Sequence, residues 1–199
     1  MERYFFLARS EALKKWGDYG SILLNGMACD VYAEQTRLKR TGPFVPPFSF
    51  PLFGGVVVTD AVKNTLESGN LRGVGDFRPV TLEKAVSVNW QDWNRHEKIS
   101  SSKIPRSGEP EDYILAGQHD PELATAMGRL WTWHPLRVGS IDRTSSPLRI
   151  LGIRNSISDV LRLNDNGARD IIVNSHGRQF LLNIAGDWVS FDEIPYEIS

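Results

Sequence analysis

IIVNSHGRQFLLNIAGDWVSFDEI, residues 171–194, decides how the rest of this chain is read. Taken alone, its short apolar run followed by Ser175, His176 and Arg178 suggests a strand end presenting a nucleophile and its base. VVVTDAVKNTLESGNLRGVGDFRPV, residues 56–80, changes that reading. Ile171-Ile172-Val173 match Val56-Val57-Val58, and Asn174-Ser175 stand where Thr59-Asp60 stand. In the first stretch Val62 and Leu66 share one helical face, and Ser68-Gly69-Asn70 stops the helix. In the second, Ala185-Gly186 stops it. From Val58 to Phe77 is 19 residues, and from Val173 to Phe191 is 18. Both stretches therefore predict strand, helix, strand, in register to about one residue, as a duplicated supersecondary unit would be. Ser175 aligns with Asp60 and His176 with Ala61. The pattern predicts Ser175 as a helix cap, accepting from backbone N–H groups that have no partner in the first turn, and not a catalytic pair.

Composition narrows the class. With 199 residues, a hydrophobic share of 41% and a formal net charge of -1, the chain reads as one medium globular domain or two small lobes. A balanced charge supplies no general affinity for a nucleic-acid backbone. Cys29 is the only cysteine, which excludes an intramolecular disulfide and a cysteine-based zinc site. No apolar run approaches the ~20 residues of a membrane span, and the first residues lack the pattern of a secretory signal. The expectation is a soluble, cytoplasmic protein with no cofactor and no metal.

The expected fold is α+β, with mixed sheets that include the two related strand–helix–strand units. TGPFVPPFSFPLFGG, residues 41–55, has four prolines and reads as an extended connection whose phenylalanines need apolar pockets. It divides an N-terminal region, 1–50, from a domain over 51–199, with lobes at 51–118 and 119–199 sharing one core as a finer division. YFFLA (4–8), SILLNG (21–26), TLEKAVSV (81–88), YILAG (113–117) and LRILGI (148–153) are strand candidates. SISDVLRL (156–163) is helix or strand, and NDNG (164–167) a turn. Residues 95–112 read as a long polar loop. Asp120 and Pro121 open a helix through Leu123, Met127 and Leu130.

Candidate chemistry is sparse. His119-Asp120 could begin a metal-dependent phosphohydrolase site, but a convincing set of further ligands is missing, and a helix start is the plain alternative. LRGVGDFR, residues 71–78, has a GxG that fits a turn better than a nucleotide loop. Trp131 and Trp133, two apart, suit either core packing or base stacking in a nucleic-acid-binding module. Residues 107–128 hold five carboxylates, Glu109, Glu111, Asp112, Asp120 and Glu122, and no lysine or arginine. That is either a solvated face or a surface complementary to a basic partner. The candidate contact set is Glu109, Glu111, Asp112 and Glu122, with Tyr113 and Trp131.

PLFGGVVVTDAVKNTLE and FRPV resemble the strand, turn and helix of a family of immunity proteins. SIDRTSS, and then ISDVLRL through IIVNSHGRQFLLNIAGDWVSFDEI, resemble that family's C-terminal pattern. Val160-Leu161-Arg162-Leu163 stand at its "lFRL" segment, followed by its strand, cap and helix. The family comprises immunity proteins of polymorphic and type VI secretion toxins, of the myxobacterial type, and the likeness spans roughly residues 50–194. Asn174 replaces the usual serine-type cap, the acidic residue after it is missing, and the closing motif becomes AGDWVSF. The resemblance implies a binder that occludes a toxin, with no catalytic residues to carry over. The toxin would act in the cytoplasm, a nuclease being the first expectation. A hydrolase and a nucleic-acid-binding module are the alternatives, and the oligomeric state is open.

Overall fold

The computed structural model describes residues 3–10, 17–28, 35–52, 55–87, 109–138, 140–142, 144, 148–151, 158–163, 171–194 and 196–198. In chain order the elements are β1 (Tyr4–Arg9), α1 (Gly17–Asn25), β2 (Met27–Ala28), β3 (Arg37–Gly42), β4 (Phe48–Ser49) and β5 (Val57–Thr59). Then come α2 (Asp60–Ser68), β6 (Asp76–Pro79), β7 (Thr81–Ser87), α3 (Pro110–Ala116), α4 (Pro121–Ala126) and β8 (Leu130–His134). The chain continues with β9 (Ser140–Asp142), β10 (Leu148–Leu151), β11 (Val160–Arg162), β12 (Ile171–Asn174), α5 (Ser175–Ala185), β13 (Val189–Glu193) and β14 (Tyr196–Ile198). The fold is α+β.

Both aligned stretches are strand–helix–strand, and each is built into a four-stranded sheet of the same plan. One sheet runs β4-β5-β8-β6, the other β11-β12-β1-β13, and neighbours in both are antiparallel. In each, the two strands of the repeat lie parallel to one another with an antiparallel strand inserted between them. This is the split arrangement a helical crossover allows. The likeness holds residue by residue. Val58 pairs with Trp131 and Phe77 with Trp133, while Val173 pairs with Phe5 and Phe191 with Leu7. The inserted strand differs in origin: β8 follows the first unit in the chain, whereas β1 precedes the second by most of its length. The two units are thus related by circular permutation of strand order.

The helix starts correspond too, one residue earlier than expected for the second. Thr59 caps α2, its hydroxyl accepting from Val62 N–H, and Asn174 caps α5, its carbonyl accepting from Gly177 N–H at 2.9 Å. Ser175 is the first residue inside α5 and not its cap. Asparagine satisfies the cap, so the serine hydroxyl stands exposed.

Both units share one core. Val58, Val62 and Leu66 from the first pack with Val173, Leu181 and Ala185 from the second, around Phe5, Leu7 and Trp133. The helices meet where Phe180 of α5 lies over Gly69; a Cβ at Gly69 would sit 2.5 Å from that ring. β1 and β4 belong to this core, so the division near residue 50 is one of composition and not of packing.

Several short apolar runs fold differently from their expected states. SILLN of the first belongs to α1 and YILA of the second to α3, where Leu23, Leu24 and Ile114 bury one another. Runs of four or five apolar residues carry too little periodicity to separate strand from helix. Residues 109–112 form the cap and first turn of α3 and not the end of a loop; 95–108 lie outside the described residues. Residues 41–55 hold the end of β3 and all of β4, with Phe48 buried and Phe44 exposed. Helix α4 stops at Ala126, and Leu130 opens β8. Residues 148–151 are strand, 160–162 resolve to strand, and NDNG lies outside the described residues.

Two smaller sheets complete the fold, β2-β3-β7 and β14-β10-β9. β3 and β7 are parallel, and α3 and α4 both pack against β7. A wholly buried arginine, Arg40 on β3, closes this region. Its guanidinium donates to the carbonyls of Leu24 (2.8 Å), Thr41 (3.0 Å) and Phe44 (3.3 Å), and the Thr41 hydroxyl donates to Leu23 O. The side chains of β3 thereby satisfy the final carbonyls of α1. Burial lowers the Arg40 pKa to about 9, which leaves it charged at neutral pH. Among the described residues, no helix is long and apolar enough to cross a membrane.

Candidate functional site

The acidic segment folds into two short helices with carboxylates at their starts. Pro110 occupies the first turn of α3, and the Asp112 carboxylate accepts from Glu109 N–H at 3.2 Å. Negative charge here also opposes the positive end of the helix dipole. Part of the segment's acidity is therefore helix-start chemistry, Asp112 most directly. Ile114 is fully buried. Tyr113 is half-buried against the Leu23–Leu24 cluster, and its hydroxyl donates to Ser87 O at 3.3 Å. Leu115 turns outward and is 45% exposed. Glu111 and Asp112 stand four and three residues before it, on the same side of the helix. One oxygen of Glu111 is shielded from solvent and accepts no hydrogen bond.

Glu122 is exposed in the first turn of α4, beside the cap Asp120, which accepts from Leu123 N–H at 2.9 Å. Since α3 and α4 both flank β7, five of the six candidate contact residues lie on neighbouring supports. Trp131 does not join them on that support. It sits on β8, its indole N–H donates to Asp60 at 2.8 Å, and the Lys63 ammonium lies 4.9 Å from its ring centre. Trp131 is thus tied to α2, and it also lines an open cleft of about 300 Å³ together with Val80, Leu82 and Arg129. Trp133 is buried, stacked on Phe77 at 6.5 Å, with its N–H donated to Val74 O at 2.8 Å. A base has no access to it, so paired stacking by Trp131 and Trp133 does not occur.

His119 is occupied by the backbone: its Nδ1 accepts from Ala85 N–H at 3.1 Å, and Asp120 N–H donates to Ala85 O at 2.9 Å. The pair fastens the turn between α3 and α4 to β7. Among the described residues, no group of three or more His, Cys, Asp or Glu side chains is placed to hold a metal.

His176 has a partner that its sequence surroundings did not indicate. Its Nδ1 lies 3.3 Å from Asp159, a carboxylate only 2% exposed. Asp159 also receives both the side chain and the backbone N–H of Arg72, and the Asn174 amide at 3.1 Å. Burial pushes the Asp159 carboxyl up. The hydrogen bonds from Arg72, Asn174 and His176 outweigh burial and hold it well below the usual carboxylate range. The cluster joins the turn after α2, the approach to β11 and the cap of α5. It is a polar tie between the two units. SISDVLRL carried no charge pattern that would have marked Asp159.

No family model matches the chain, and no curated protein or solved structure is significantly similar to it.

Proposed function

We propose that the protein is an immunity protein that binds and neutralises a cognate antibacterial toxin, acting in the cytoplasm by occluding the toxin's active site. The observation that carries this reading is the outer face of α3. There an exposed Leu115 stands one turn from Glu111 and Asp112, with Glu122 on the adjoining helix. An apolar contact flanked by carboxylates is the composition of a surface that meets a basic partner: the apolar group gives up water, and the charges steer the encounter. A nuclease must hold phosphates, so its active cleft is basic, and carboxylates can stand where phosphates would. The resemblance to immunity proteins read from the motifs in residues 50–194 is the second reason for this proposal.

The test is to search the genes beside this one for a toxin, co-express the chain with it, and follow with association kinetics for the purified pair. The chain should protect growth. Glu111→Lys with Glu122→Lys should slow association about tenfold or more at low salt, with a smaller effect at high salt. Asp112 is left in place because it supports the start of α3. Unchanged rates at low salt would move the interface elsewhere, and lack of protection would overturn the proposal.

A further inference from the structure

The sheet of the first unit ends on β6, and the outer side of that strand is open. Gly75, Asp76, Arg78 and Pro79 are all exposed, while Phe77 is half-buried with its ring stacked on Trp133. The pairing with β8 sets the direction of each backbone group. Val80 N–H donates to Leu130 O at 3.0 Å, and the register places Arg78 against Thr132 and Asp76 against His134. In an antiparallel pair, residues that exchange hydrogen bonds alternate with residues that turn both backbone groups away. Asp76, Arg78 and Val80 therefore address β8, and Phe77 and Pro79 face outward. The far side of β8 agrees: Trp133, opposite Phe77, donates its N–H to Val56 O at 2.8 Å. Proline, with no N–H to give, occupies an outward position, as edge-strand prolines do. Among the described residues, the Phe77 N–H and C=O have no hydrogen-bond partner.

A donor and an acceptor left on one residue can be satisfied by the same residue of a second copy. A two-fold axis beside Phe77 sets two β6 strands antiparallel, and each Phe77 N–H then donates to the Phe77 C=O across the axis. The same axis fixes which side chains meet. Asp76 of each copy falls opposite Arg78 of the other, at a position where antiparallel strands approach closely. Both side chains lie on the sheet face away from the Phe77 ring. Within one chain they are 3.5 Å apart and more than half exposed. In the pair, two carboxylates and two guanidinium groups alternate around the corners of a square, each beside two opposite charges. We propose that β6 is a dimerisation edge, on which a second copy of this chain pairs antiparallel about Phe77.

The second unit has the matching edge, and its charges do not fit a copy of itself. β13 ends its sheet, and Ile194 N–H donates to Tyr4 O at 3.0 Å, which turns Phe191 outward as Phe77 is turned. A two-fold axis beside Phe191 sets Asp192 against Ser190, and Glu193 adds a second carboxylate. Two copies of β13 bring four carboxylates together with no cation from the strand, which costs free energy and opposes pairing. Of these two edges, β6 is the one whose charges meet their opposites. The paired stretch is short, so the dimer is weak and depends on protein concentration and on salt. β6 carries none of the proposed toxin contacts.

Sedimentation velocity of the full chain over a range of concentrations should show a monomer–dimer equilibrium that weakens as salt rises. Asp76→Arg and Arg78→Asp change exposed side chains, and circular dichroism checks that each variant keeps the fold. Either change alone sets like charges opposite one another and should weaken self-association about tenfold or more. Mixing the two variant proteins sets unlike charges opposite again and should restore a dimer with one chain of each. Amide exchange gives a second reading: the Phe77 N–H should gain protection as concentration rises, and the Phe191 N–H should not. A parent chain that stays monomeric at every soluble concentration would overturn the proposal. So would a dimer indifferent to both charge reversals, a mixture that associates no better than either variant alone, or a Phe77 N–H equally protected at all concentrations.

Discussion

Arg72 and Asp159, 87 residues apart in the chain, meet through two side-chain contacts of 3.2 Å, and the Arg72 backbone N–H adds a third at 2.9 Å. The carboxylate is buried and the guanidinium more than half exposed. Removing the arginine therefore leaves a buried charge short of donors, while removing the aspartate leaves a cation that water can reach. Arg72→Ala should cost about 1–3 kcal/mol, the usual penalty for under-satisfying a buried group. Urea unfolding at pH 7 measures it.

The same carboxylate sets an acid limb to stability. Its folded pKa lies below the unfolded carboxylate value of about 3.9, so its contribution is fully present above that value. It is lost as pH falls from there through the folded pKa. Stability measured from pH 6 down to pH 2 should fall less steeply for Asp159→Asn than for the parent chain. Parallel curves would show that Asp159 titrates normally.

Thr59 and Asn174 hold equivalent caps, but Asn174 also donates to Asp159 and is 4% exposed. Both alanine variants should lose about 0.5–2 kcal/mol, with Asn174→Ala the more costly. Ser175→Ala, inside the helix and exposed, should be near neutral. Denaturation midpoints for the three variants give the order, and a Ser175→Ala loss matching that of Asn174→Ala would return the cap to the serine.

β1 lies between β12 and β13, so deleting residues 1–9 leaves two strands facing an empty slot and strips Phe5 and Leu7 from the core. The truncated chain should lose cooperative unfolding. Leu7→Ala alone should cost about 2–5 kcal/mol. Far-ultraviolet circular dichroism and amide exchange at Ile172 and Val173 report the outcome; protection equal to the full chain would mean β12 holds without its neighbour.

Arg40→Ala should be among the most damaging single changes outside the shared core, at about 3 kcal/mol or more. It opens a cavity and leaves the carbonyls of Leu24, Thr41 and Phe44 without this donor. Arg40→Met, which keeps much of the volume, should cost less. Thermal denaturation of both variants separates the lost packing from the lost hydrogen bonds.

The amino-acid sequence by itself determined the two strand–helix–strand units, because their signals are local: apolar runs, a side-chain acceptor at each helix start, Gly69 and Gly186 at the helix ends. It also marked the acidic starts of α3 and α4, since charge composition needs no partner to be seen. The tertiary structure alone decided which strand enters each unit. Val58 meets Trp131 and Val173 meets Phe5 through backbone hydrogen bonds that any extended segment can make, so the choice rests on the packing of the whole core. The helical state of residues 21–25 and 113–116 was settled in the same way, by Leu23 and Leu24 burying against Ile114. So was the cluster around Asp159, which gathers Arg72 from the turn after α2 with Asn174 and His176 from the start of α5. Strand pairing and the packing of the two units bring together polar groups that are scattered along the chain.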